Sequence, residues 1–230
     1  MVLINVHSVF KIFEGKEEDI GVAALRGIDL EIEEGESILI SGSSGSGKST
    51  LLSIIAGYKK PSAGYVAAEG VGIIHKLQNR SLLDYHRNYL SFISQFPEKN
   101  VIYSWTVKEN IELPLLLSKN IEKSKRRTRV NEILEGFGLN DLQNSPVSVL
   151  SGGETQLVAA AMAVVNQPRI LLADEPTGEL DSTHAKKVID VLLASVEQQG
   201  TTILVVSHNT SLRNSFSRNL VICDGNLADD

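Results

Sequence analysis

Nine consecutive residues, GSSGSGKST at 42–50, carry the clearest chemistry in the chain. They fit G-x-x-x-x-G-K-[ST] and stand between an apolar run, SILIS, and a helix-forming run, TLLSIIA. That is the context a phosphate-binding loop requires. Gly42, Gly45 and Gly47 let the backbone curl so that successive N–H groups converge on phosphate oxygens. Ser43, Ser44, Ser46 and Thr50 complete the expected lining. Lys48 brings a mobile ammonium to the β- and γ-phosphates, and the helix that begins near it adds its positive end. The Ser49 hydroxyl suits Mg²⁺. A Gly/Ser-rich connection without chemistry is the alternative, and the strand–loop–helix context argues against it.

A second apolar run, RILLADEP at 169–176, ends in two carboxylates. Asp174 suits holding Mg²⁺ through its water shell beside Ser49, and Glu175 suits polarising a water for attack on the γ-phosphate. Glu175 is expected on the opposite side of the strand from Asp174. A third run, TTILVVSH at 201–208, ends in His208. Ligands of open α/β sheets bind at the C-terminal ends of the strands, which brings His208 into consideration. Gln95, in FISQFPEKN, is a glutamine in a polar loop and says little alone. LSGGETQLVAAAMAVV, at 150–165, reads as a helix apolar on every side, hence buried. It opens on Ser151, Gly152 and Gly153, although glycine is a poor helix former. Ser151 with Glu154 fits the S-x-x-E capping box, and bare N–H groups at a helix start also suit an anion. The stretch by itself favours the cap.

The elements that must position these residues follow from periodicity. Residues 1 to about 36 read as short strands with turns, and Ile28, Leu30 and Ile32 alternate as in a half-buried strand. The three continuous apolar runs suit central strands covered on both faces, and helical patterns lie between them. The expected fold is therefore α/β with a mainly parallel sheet core and an N-terminal antiparallel β subdomain. Residues 97–165 contain no convincing strand and read as a helical subdomain inserted into a core of residues 1–96 and 166–230. There Val130, Ile133, Leu134 and Phe137 recur at helical spacing, and Pro114 is expected to mark a break or first turn. The basic cluster Lys123, Lys125, Arg126, Arg127 and Arg129 reads as a solvated helix face, because acids flank it and no aromatics interleave.

Composition excludes several classes. The 230 residues are 42% hydrophobic and 22% charged, enough to bury a core as one globular domain. A net charge of −6 argues against a nucleic-acid partner held by phosphate neutralisation. A single cysteine, Cys223, excludes an internal disulfide, fits a reducing setting and reads as a buried small hydrophobe. No apolar run approaches the ~18 residues that span a bilayer, and MVLINVHSVF lacks a signal peptide's basic start. Work at a membrane would need another chain for the spanning part.

Taken in order, these residues resemble an ATP-binding cassette (ABC) ATPase subunit over essentially the full length. The order is an aromatic near the N-terminus (Phe13), Walker A (42–50), the Q-loop Gln95, the signature LSGGE (150–154), Walker B with its glutamate (ILLADE), the D-loop Glu179-Leu180-Asp181 and the switch His208. The resemblance implies ATP and Mg²⁺ as ligands and two cassettes, expected to be identical, packed head to tail around two ATPs. Ser151, Gly152 and Gly153 would then close over the γ-phosphate held by a second copy. Phe13 would stack on adenine, Gln95 would sense Mg²⁺ and the transporter, and Asp181 would couple the two sites. The resemblance also implies a transmembrane permease as partner and a place at the cytoplasmic face of the membrane. The acidic insert FEGKEEDIGVAALRGIDL, TVKENIELPLL and ADEPTGELD make the chain most similar to the lipoprotein-release and macrolide-export branch.

Three positions depart from the family pattern: Glu154 replaces a glutamine, and Leu157 and Met162 replace arginines. A carboxylate beside a triphosphate is unfavourable unless Glu154 faces its own helix start. Phe13 in place of the usual tyrosine keeps a stacking face. Other readings are a soluble ABC ATPase of DNA repair or translation, which usually carries paired cassettes or long inserts, a weakly hydrolysing regulatory cassette, and a plain P-loop kinase, which leaves 150–154 unexplained.

Overall fold

The computed structural model describes residues 1–14, 21–96, 99–178, 180 and 182–229. Glu179, Asp181 and residues 15–20 of the acidic insert lie outside the described residues. In chain order the strands are β1 (Val2–Phe13), β2 (Val22–Glu33), β3 (Ser37–Ser41), β4 (Ala63–Ala68), β5 (Gly72–Ile73), β6 (Leu90–Ile93), β7 (Ile170–Asp174), β8 (Thr202–Val206), β9 (Arg218–Cys223) and β10 (Asn226–Asp229). The helices are α1 (Lys48–Ile55), α2 (Asn79–Asn88), α3 (Val107–Leu117), α4 (Arg126–Gly136), α5 (Gly152–Val164) and α6 (Ser182–Gln199). They form two compact units, residues 1–85 with 204–230, and residues 86–203.

In the first unit, β2, β1, β4 and β5 make an antiparallel sheet in that order. β1 and β2 are twelve residues each, not the short strands expected. Register shifts between Val6 and Val9 explain the difference. Ser8 takes a left-handed φ of 45° there, and its N–H donates to Asp29 Oδ1 at 2.8 Å. This bulge breaks the period-two alternation while Val6 and Val9 both stay buried, so one bent strand reads as two pieces. Also in this unit, β9 lies between β3 and β10, parallel to the first and antiparallel to the second. The apolar runs at β3 and β8 are buried almost throughout, as their continuous character requires. Cys223 is exposed rather than buried. It closes β9 opposite Asn226, and the inward positions go to Leu220 and Ile222.

In the second unit, β6 and β7 pair in parallel, Leu90 with Ile170 through Ile93 with Ala173. Helices α3 to α5 follow β6 in the chain. Val130, Ile133, Leu134 and Phe137 are buried, as their spacing predicts. Pro114 lies inside α3 and neither starts nor breaks it. The helix stops soon after, where Ser118 N–H donates to the Pro114 carbonyl at 3.0 Å. The basic cluster is only partly solvated. Lys123, Lys125 and Arg127 are exposed, but the Arg129 side chain is 13% exposed. Its Nε donates to the Val165 carbonyl at 3.0 Å, and its terminal nitrogen to that of Val164 at 3.2 Å. A buried cation thus satisfies the last carbonyls of α5, where a helix presents negative charge. Burial lowers the Arg129 pKa, opposed by Glu132 at 3.4 Å.

Candidate functional site

The first unit holds the phosphate loop. Gly42, at φ 146°, packs where an added Cβ would run into the Ile222 carbonyl of β9. Gly47, at φ 111°, packs likewise against the Ala24 carbonyl of β2. Both positions therefore exclude a side chain twice over, by space and by backbone angle. The turn between β9 and β10 braces the loop, because Gly225 N–H donates to the Ser46 carbonyl at 3.1 Å. Lys48 is 7% exposed, and its ammonium donates to the carbonyls of Gly42 at 2.9 Å and Ser43 at 2.8 Å. Ser46 Oγ is buried and has no hydrogen-bond partner among the described residues. A buried cation held by neutral carbonyls, next to an unsatisfied hydroxyl, suits an incoming anion. Ser43, Ser44, Gly45 and Ser49 are exposed around it.

His208 follows β8 in the same unit and is exposed. The preceding Ser207 N–H donates to the Ile40 carbonyl of β3 at 3.1 Å, so β3 delivers the loop and β8 delivers the histidine to one sheet edge. Phe13 ends β1 and is 38% exposed. The ammoniums of Lys59 and Lys11 lie 5.0 and 5.2 Å from its centroid. A cavity of about 430 Å³ opens between the start of β2, Gly45 and the β9–β10 turn.

The second unit brings together Gln95, the carboxylates and the start of α5. The parallel register of β6 and β7 brings Gln95 and Asp174 out at one edge. Glu175 does not continue the strand alternation: it sits in a turn with φ 48°, a costly angle for a residue with a side chain. A Cβ built on Gly178 would lie 3.6 Å from Glu175 Cβ and 4.0 Å from Gln95 Nε2, so the two loops face each other. Gln95 itself is exposed, while Asp174 and Glu175 are half-buried.

At α5, Ser151 is the N-cap. Its backbone N–H and its hydroxyl both donate to Glu154 Oε2, at 2.8 and 2.7 Å, and Glu154 N–H donates back to Ser151 Oγ at 3.3 Å. Glu154 thus faces its own helix start. These bonds, the side-chain bond foremost, hold its carboxyl below the usual carboxylate range. Gly152 is exposed and Gly153 half-buried, and the helix beyond is buried, as an all-apolar pattern requires. Leu157 and Met162, where arginines were expected, are half-buried.

Two side chains escaped the sequence reading. Gln156 is 5% exposed, and its Nε2 donates to the Pro176 carbonyl, tying α5 to the turn that carries Glu175. Its signal is a lone amide in an otherwise apolar helical run. Asn100 spans the loop at Gln95, with Nδ2 2.9 Å from Ser94 Oγ and 3.3 Å from the Phe96 carbonyl. No pattern in the sequence marks Asn100. Asp181 lies outside the described residues.

The family pattern described as ABC transporter matches residues 25–178. The chain is 37% identical over 206 residues to the lipoprotein-releasing system ATP-binding protein LolD of Syntrophus aciditrophicus, covering 90% of this chain and 91% of that one. It is 39% identical over 227 residues to an uncharacterized ABC transporter ATP-binding protein, MJ1508, of Methanocaldococcus jannaschii, covering 99% and 98%. Among solved structures, it matches the dimeric post-hydrolysis state of the ATP-binding cassette MJ0796 bound to ADP and Pi. The TM-score is 0.86 at 34% identity, with 99% of this chain and 98% of that chain covered.

Proposed function

The chain belongs to the ABC transporter family, as an ATP-binding subunit, and we propose that it hydrolyses ATP to drive a separate membrane permease. Two identical copies close around two Mg-ATP. The observation that carries this reading is the loop at 42–50, with Lys48 buried among its carbonyls beside the unsatisfied Ser46 hydroxyl. That loop accepts the phosphates, and Lys48 exchanges carbonyl partners for phosphate oxygens. Mg²⁺, when bound, neutralises charge on the β- and γ-phosphates. Ser49, Gln95 and Asp174 are the residues that would hold it, and their all-oxygen donor set suits a hard cation.

Glu175 orients the attacking water, His208 holds the γ-phosphate, and Phe13 offers its ring to adenine. Ser151, Gly152 and Gly153 meet the γ-phosphate of the second copy, and Asp181 couples the two sites. Hydrolysis removes the bridging group, and the pair opens. The signature residues lie on a helical subdomain at 97–165, which faces the permease through the segment after Gln95. No helix among the described residues is long and apolar enough to cross a membrane. The permease would hold the chain at the cytoplasmic face.

The test is steady-state phosphate release. A positioned general base contributes about 10²- to 10⁴-fold, so Glu175→Gln should lower turnover by at least that much. Equal turnover in the variant and the wild type would remove the role of Glu175. Absent turnover in the wild type, with permease present, would favour a regulatory cassette.

A further inference from the structure

Between the loop of Gln95 and the cap of α5, the second unit contains a pinned junction that no role above uses. Two segments run side by side. Val147 N–H donates to the Trp105 carbonyl at 2.9 Å and Ser148 N–H to that of Tyr103 at 3.0 Å. In the other direction, Val107 N–H donates to the Ser145 carbonyl at 3.0 Å. The second segment then leads directly into Ser151. At the centre lies Asn110, fully buried on α3. Its Oδ1 accepts Ile102 N–H at 2.7 Å, and its Nδ2 reaches the carbonyls of Ile102 at 3.0 Å, Thr106 at 3.0 Å and Trp105 at 3.4 Å. A single amide therefore fixes the curve of residues 102–106, while Tyr103 and Trp105 stay 41% and 39% exposed.

We propose that Asn110 is a positioning residue for Ser151. It sets the loop at 102–106, and the backbone bonds from that loop to 147–148 set where the α5 cap is presented. The inference rests on the reading that Ser151 meets the ATP of a second copy. A buried amide that only stabilised α3 would change folding stability and leave closure of the pair untouched.

The experiment measures ATP-driven dimerisation by sedimentation velocity in the Glu175→Gln background, with and without Asn110→Asp. Aspartate keeps an acceptor for Ile102 N–H and turns the donor into a carboxylate facing carbonyls. ATP affinity of the monomer, measured at a protein concentration too low for pairing, should be unchanged, because the phosphate loop is in the other unit. Dimerisation should weaken by roughly tenfold, the scale of one lost buried hydrogen bond. Equal dimerisation in a folded Asn110→Asp protein overturns the proposal. Failure of Glu175→Gln alone to dimerise overturns instead the reading on which it rests.

If Asn110→Asp does not fold, the chain's single tryptophan decides. Trp105 should change its acrylamide quenching when ATP is added to Glu175→Gln, and Ser151→Ala in that background should remove the change. Trp105 unresponsive while dimer forms overturns the proposal.

Discussion

At Ser151, one hydroxyl caps a helix and, in the proposed pair, is also offered to a neighbour's nucleotide. Its partner Glu154 is held below the usual carboxylate range because Ser151 donates to it twice. With the folded pKa lowered, this pair stabilises α5 at pH values above the usual carboxylate range, and the contribution fades as pH falls through the lowered value. Glutamine also fits the capping box. Glu154→Gln should therefore flatten the loss of melting temperature below about pH 5 relative to the wild type. Identical acid limbs for the two proteins would contradict the assigned bond. Lys48→Ala should abolish ATP binding in a calorimeter, because it removes the ammonium held among the loop carbonyls. Unchanged affinity would contradict the cradle.

At the scale of elements, the phosphate loop exists because β3 and α1 hold its ends and β9 and β2 press on its middle. Gly42→Ala places a Cβ against the Ile222 carbonyl and should remove nucleotide binding, measured by the same titration, while β3 and β9 persist by circular dichroism. Gln156→Leu keeps the volume of α5 but leaves the Pro176 carbonyl without its donor. An unsatisfied buried acceptor costs about 1–3 kcal/mol, readable in chemical denaturation. Wild-type stability in that variant would mean the bond contributes nothing. The loop was legible because its glycines, lysine and flanking runs are contiguous, and α5 was legible from its apolar surface. The length of β1 was hidden by the bulge at Ser8. The clamp by Asn100, whose partners Ser94 and Phe96 are near in the chain, was hidden because a lone amide carries no periodicity. The turn angle of Glu175 was hidden because that turn is tied to a segment distant in the chain, through Gln156. The burial of Arg129 was hidden for the same reason: its partners are the last carbonyls of another helix.

At the scale of the whole molecule, the chemistry is divided. The first unit contains the phosphate loop and His208, and the second contains Gln95, Asp174, Glu175 and the α5 cap. The sequence carries these pieces in the order that the family resemblance implies. It left unmarked the internal ties, Gln156 to Pro176 and Asn110 to the 102–106 loop, because a single amide carries no periodicity. The central claim is that two copies close around ATP and part when it is cleaved. Light scattering of Glu175→Gln during titration with Mg-ATP tests it most directly. A doubling of mass at saturating ATP, reversed when the nucleotide is removed, is the predicted result; a persistent monomer at saturating ATP would contradict it.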